Sequence, residues 1–185
     1  MLAKRVGMMY STTMTNEQTR IQIDGKSYPV GNKYGVPQVK TDGGLSKTRL
    51  KEYRDCTIRA LALTASIEYS VAHKIGKDAG RQRRRGFHCQ TLLDQAQKSN
   101  ISFSKIIDRH GDGVRTFQPT TIGEFIQKHS KGRFYCRRSG HAFAVVDGII
   151  LDNIRNTPRQ RITDAWEFIP SAKDSSCQTA LDNVI

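Results

Sequence analysis

The sequence predicts an α+β fold in which helices come first and an antiparallel sheet follows. Three observations point there. Apolar residues recur at helical spacing through Ile58, Leu61, Ala62 and Ala65, then Tyr69, Ala72 and Ile75, then Leu92, Leu93 and Ala96. After Gly132 the apolar period changes to two. Asp147-Gly148 then separates two apolar runs, a strong short-range hairpin signal.

Taken in order, residues 1–20 read as a polar lead. Ile21 to Val30 alternates around Asp24-Gly25 and predicts a hairpin. Residues 31–48 are rich in Gly and Pro and read as a loop, so the ordered core is expected from Arg49. Asp55 is an N-cap residue type and opens a helix at Cys56. A second helix is expected from about Ser66 to Lys77, then a basic loop over Arg81–Arg85, a third helix over 90–98 and a strand near 103–107. Thr121 followed by Glu124 is a capping-box pattern for a helix through Lys128. Strands are expected over 133–138, 141–146 and 149–153, with Trp166 to Ile169 as an edge strand. The organisation is a lead over 1–48, a core domain over 49–169 and a polar tail over 170–185.

A chain of 185 residues, 37% hydrophobic and 25% charged, is of a size and composition for one soluble globular domain. No continuous apolar stretch reads as a secretory signal or a membrane span, so a cytoplasmic location is expected. The cysteines Cys56, Cys89, Cys136 and Cys177 are spaced by 33, 47 and 41 residues, which matches no zinc-ligand spacing. They are expected as free thiols, with no cofactor and no metal. Asp108, His110 and Asp112 stand in a glycine-containing loop, but no distal Glu follows at calcium-loop spacing, so a plain turn is preferred. The net charge of +13 favours acidic partners: a protein or peptide substrate first, nucleic acid second. The basic surface is assigned to Arg81, Arg83, Arg84, Arg85, Arg137 and Arg138.

Cys56 at the first position of a helix has the setting of an activated thiol. A helix N-terminus and a nearby imidazolium both favour thiolate, and the unpaired N–H groups there can stabilise an oxyanion. His141, preceded by Gly140 at the head of an apolar strand, is the candidate base. With Asp147-Gly148 as a two-residue turn, Val146 faces Ile149 and Phe143 faces Asp152. His141, Phe143 and Asp152 then share one face, and Asn153 lies on the other. Asp152 is therefore the expected third residue, and Asn153 the fallback if the turn is longer. His88-Cys89 is a poorer pair, because adjacent residues at a helix start diverge. His73, His110 and His129 read as surface groups.

Asp55-Cys56-x-x-Arg59-Ala60 on a helix, followed by Gly140-His141-x-x-Ala144-Val145-x-Asp147-Gly148 on a hairpin, resembles the small papain-like cysteine peptidase-type proteins of tailed phages and their bacterial hosts. The resemblance covers about residues 52–169. It implies a papain-like fold with the nucleophile helix packed on the sheet, and a thiol hydrolase (peptidase, isopeptidase or amidase) that acts on a host protein in the host cytoplasm. Papain-like enzymes place a Gln shortly before the Cys. Here positions 49–54 are Arg-Leu-Lys-Glu-Tyr-Arg, so the oxyanion would rest on the Cys56 N–H and a further donor, Tyr53 or a residue of the 31–44 loop. Arg59 is a salt-bridge anchor or a substrate-carboxylate clamp. The alternative reading is a catalytically inactive papain-like or basic module that binds a host protein or nucleic acid.

Overall fold

The computed structural model describes residues 20–23, 26–31, 35–108 and 120–170. Among them are four helices: α1 (Cys56–Ala65), α2 (Tyr69–Asp78), α3 (Cys89–Lys98) and α4 (Ile122–Lys128). The strands are β1 (Arg20–Ile23), β2 (Lys26–Pro29), β3 (Gln38–Lys40), β4 (Ser102–Ile107), β5 (Arg133–Arg138), β6 (His141–Val146), β7 (Ile149–Asp152) and β8 (Asp164–Ile169). β1 and β2 form a hairpin of their own, with Ile23 opposite Lys26 across a two-residue connection. The other six strands make one sheet in the order β3-β7-β6-β5-β8-β4. No helix among the described residues is long and apolar enough to cross a membrane.

The fold is α+β, but the sheet is mixed rather than antiparallel. β3 runs parallel to β7, with Gln38 opposite Ile150 and Lys40 opposite Asp152. This corrects the reading of 31–48 as a loop outside the core. Val36 and Val39 are buried, so the core begins before Arg49. A three-residue strand is too short to show a period, and its pairing comes from a partner more than a hundred residues away. β8 is likewise no edge strand: it lies between β5 and β4, and Trp166 is buried. The second helix starts at Tyr69 because Ser66 takes a left-handed conformation (φ 55°) and ends α1.

α1 is the hub. Ile58, Ala60, Leu61, Ala62 and Ala65 are buried, as are its Thr57 and Thr64. One side packs on β5 and β6, where Ala142, Ala144 and Tyr135 form the sheet face. The other side meets α2, which approaches closely through Gly76: a Cβ there would stand 2.5 Å from Ile58 Cδ1. The opposite sheet face carries Phe134, Cys136, Phe143, Val145 and Ile150, covered by Ile122 and Phe125 of α4. The capping box is formed: Glu124 N–H donates to Thr121 Oγ1, and Thr121 N–H donates to the Glu124 carboxylate. Asp147 (φ 48°) and Gly148 (φ 74°) are both left-handed, as a tight two-residue turn between twisted strands requires.

Candidate active site

Cys56 is the first residue of α1 and His141 the first residue of β6. α1 lies on the Ala142 and Ala144 face of the sheet, whereas strand alternation assigns His141 to the Phe143 face. The two residues meet because each stands at the end of its element. The Cys56 thiol is within hydrogen-bonding reach of the His141 ring and of the Ala142 backbone N–H.

The register explains that N–H. Pairing of Arg138 with His141 and of Val146 with Ile149 directs the N–H groups of Ala142, Ala144 and Val146 toward β7. Ala144 finds Leu151 opposite, but β7 ends at Asp152, one residue before the position that would face Ala142. The chain turns away there, and the unclaimed donor serves the sulfur.

His141 Nε2 lies 2.7 Å from Asp152 Oδ2, which leaves Nδ1 for the thiol side. The Asp152 carboxylate is buried and held from three directions. Asn156 Nδ2 donates to Oδ2 at 2.8 Å, the Asn153 backbone N–H donates to Oδ1 at 2.7 Å, and His141 closes the set. The Asn153 side chain does not join them; among the described residues its buried Oδ1 has no hydrogen-bond partner. Burial works against charge at His141, but Asp152 and Cys56 outweigh it and raise its pKa to about 8. Burial also pushes the Cys56 thiol up. The His141 ring, the Ala142 N–H and the positive charges of His141 and Arg59 outweigh that, and the thiol ends below its ordinary value. Each shift is toward the charged form, thiolate at Cys56 and imidazolium at His141.

Asp55 departs from its expected part. Its side chain makes no cap hydrogen bond; instead the buried carboxylate accepts from Tyr69 Oη at 2.8 Å and pairs with Arg59 at 3.3 Å. Arg59 is thereby an anchor one turn below the thiol, packed so tightly against the chain at Gly43 that a Cβ there would lie 3.3 Å from the Arg59 Cα. Tyr53 is exposed, with the Arg84 guanidinium 5.4 Å from its ring centre.

Arg81 does not belong to the basic surface. Its side chain is 2% exposed and pairs with Glu52, itself 1% exposed, at 3.2 Å. Glu52 also takes the Arg84 backbone N–H at 2.9 Å and faces His73 Nε2 at 3.3 Å. The basic run had hidden this contact, because its acidic partner lies 29 residues earlier. Arg83, Arg84 and Arg85 are exposed. Arg137 is part-buried and donates to Asp164 at 2.7 Å, and Arg138 Nε reaches Asn156 Oδ1 at 3.4 Å.

The remaining candidates are not drawn to the thiol chemistry. Cys89 is buried against Tyr135 Oη at 3.4 Å, and burial raises its pKa; burial does the same, more strongly, to Cys136. Cys177, His110 and Asp112 lie outside the described residues. Asp108 pairs with Lys105 at 2.9 Å. His73 and His129 are not plain surface groups: the first faces Glu52, and the second packs against Phe125 and Phe134. No cluster of three or more metal-ligating side chains occurs among the described residues.

Two residues of this arrangement escaped sequence reasoning. Asn156 sits in an irregular segment with no period to place it, and Ala142 acts through its backbone. Only the shortness of β7 relative to β6 could have exposed the Ala142 donor. A cavity of about 530 Å³, with Val39, Leu63, Ile67 and Leu151 in its lining, lies at the far end of α1 and does not include Cys56. No protein-family model matches the chain, no curated protein matches it, and no solved structure matches it.

Proposed function

We propose that the chain is a papain-like thiol hydrolase, in which Cys56 attacks a carbonyl carbon of an amide, isopeptide or thioester. The single observation behind this reading is the continuous contact chain from Cys56 through His141 to Asp152, with the thiol lowered and the imidazole raised in pKa. Structural cysteines buried in apolar surroundings are shifted the other way, as Cys89 and Cys136 are.

The chemistry follows from the geometry. The Cys56 thiolate adds to the carbonyl carbon and forms a C–S bond, while the carbonyl oxygen gathers negative charge near the first N–H groups of α1. Collapse breaks the bond to the leaving group, which departs with a proton from His141. A water molecule then gives its proton to His141 and attacks the thioester, releasing a carboxylic acid and restoring the pair. Asp152 keeps the ring oriented and favours its charged form, and Asn156 keeps Asp152 in place.

The test is acylation by an activated aryl ester of an N-acylated amino acid, followed by intact mass and released phenol. The expected result is an acyl adduct on Cys56, burst release and turnover that Cys56→Ala abolishes. Turnover in Cys56→Ala equal to the parent's would overturn the assignment. A second reading, a papain-like binding protein with a silent thiol, draws on the absence of Gln from Arg49 to Arg54. It predicts an adduct at Cys56 that water does not release.

A further inference from the structure

The segment that enters α1 and the turn over residues 82–85 are bound into one wall. Arg84 Nε donates to the Lys51 carbonyl at 3.2 Å, its backbone N–H donates to Glu52 at 2.9 Å, and its guanidinium covers the Tyr53 ring. Tyr53 is three residues from the thiol.

Charge on this wall is sorted by depth. Its two carboxylates, Glu52 and Asp55, are turned inward: Glu52 to Arg81, His73 and the Arg84 N–H, and Asp55 to Arg59 and Tyr69. Their side chains are 1% and 2% exposed. Lys51, Arg54, Arg83, Arg84 and Arg85 are exposed, and among the described residues none has an ion-pair partner. Arg54, two residues before Cys56, has a left-handed backbone (φ 57°), an uncommon conformation for a long side chain. Among the described residues, the wall therefore presents its cations outward and holds its own two carboxylates inward.

We propose that the substrate of this thiol is an acidic polypeptide, whose carboxylates dock on Lys51, Arg54, Arg83, Arg84 and Arg85 while its carbonyl reaches Cys56. The proposal rests on the thiol-hydrolase reading above. Two classes of polyanion fit such a wall by charge, and the adjoining chemistry separates them. A thiolate needs an electrophilic carbonyl, which a polypeptide supplies at every residue and a phosphodiester backbone lacks. Tyr53 is the one aromatic ring on the wall, and Arg84 covers it, so no row of rings offers stacking to bases.

The experiment uses the full chain and two peptidyl acyloxymethyl ketones of equal length, one with a run of Glu and one with Gln at the same positions. The rate of Cys56 capture is followed by intact mass at low and high salt. The expected result is about tenfold faster capture by the Glu peptide at low salt, a gap that closes at high salt. The combined variant Arg54→Gln, Arg83→Gln, Arg85→Gln should bring the ratio of the two rates toward one. Equal rates in the parent at low salt would overturn the proposal, as would a gap that is undiminished in the variant. Stronger protection of Cys56 by a single-stranded oligonucleotide than by polyglutamate would assign the wall to nucleic acid instead. If neither ketone nor iodoacetamide selects Cys56 over Cys89 and Cys136, the thiol reading itself fails, and the substrate proposal with it.

Discussion

At the scale of single residues, the site turns on which neighbour serves His141. Asp152 and Asn153 are adjacent, yet their side chains have opposite fates. Asp152 accepts from Asn156 and contacts His141 at 2.7 Å, and Asn153 Oδ1 is buried without a partner among the described residues. Asp152→Ala should slow turnover by roughly a thousandfold or more, as loss of a triad acid can. It should also shift the alkaline limb. His141 is held at about 8 largely by Asp152, so its removal lowers that pKa, and activity needing a protonated imidazole falls away at lower pH. Asn153→Ala should change turnover by no more than about tenfold, because no contact of its amide reaches the ring. Comparing the pH profiles of both variants decides it, and a larger loss in Asn153→Ala would contradict the assignment. This choice was legible in the sequence because a two-residue turn fixes register by counting, and the turn dipeptide is Asp-Gly. Asn156 was not, because a residue beyond the last strand has no register to count from.

At the scale of elements, β3 stands out as the piece the sequence concealed. Helices α1 to α4 and strands β5 to β7 announce themselves through period, caps and turns. Gln38-Val39-Lys40 has three residues between glycine-rich stretches, and only pairing with β7 makes it a strand. Its place matters to the site, because Lys40 pairs with Asp152, and the Thr41 N–H donates to the Asp152 carbonyl at 3.0 Å. β3 thus supports the strand that presents Asp152 to His141. A chain beginning at residue 35 should keep the cooperative unfolding and Cys56 reactivity of the full chain. One beginning at residue 49 exposes the edge of β7 and loses burial of Val36 and Val39, each worth about 1.5–3 kcal/mol of burial energy. Denaturant titration of the two truncations checks this, and equal midpoints would contradict the structural role given to β3.

At the scale of the whole molecule, the site is a meeting of two halves of the chain. The helical half supplies Cys56 and the sheet half supplies His141 and Asp152, and α1 packed on β6 brings them together. The small side chains of Ala142 and Ala144 allow that close approach. Apart from β3, the order of elements was readable along the sequence. Their arrangement in space was not: β8 in the sheet interior and the inward turn of Arg81 depend on partners that no local pattern names. Composition gave the excess of positive charge and could not give its sorting by depth, which needs Glu52 and Asp55 to be seen facing inward.

The central claim is that Cys56 and His141 form a thiolate–imidazolium pair. The direct measurement is the pH dependence of Cys56 alkylation by iodoacetamide, in the parent chain and in His141→Ala. In the parent, the rate should rise at a pH below the ordinary thiol range, with a second change near 8 as His141 loses its proton. In His141→Ala the lost charge and hydrogen bond should move the rise to higher pH and remove the step near 8. Superimposable profiles in the two proteins would contradict the pair.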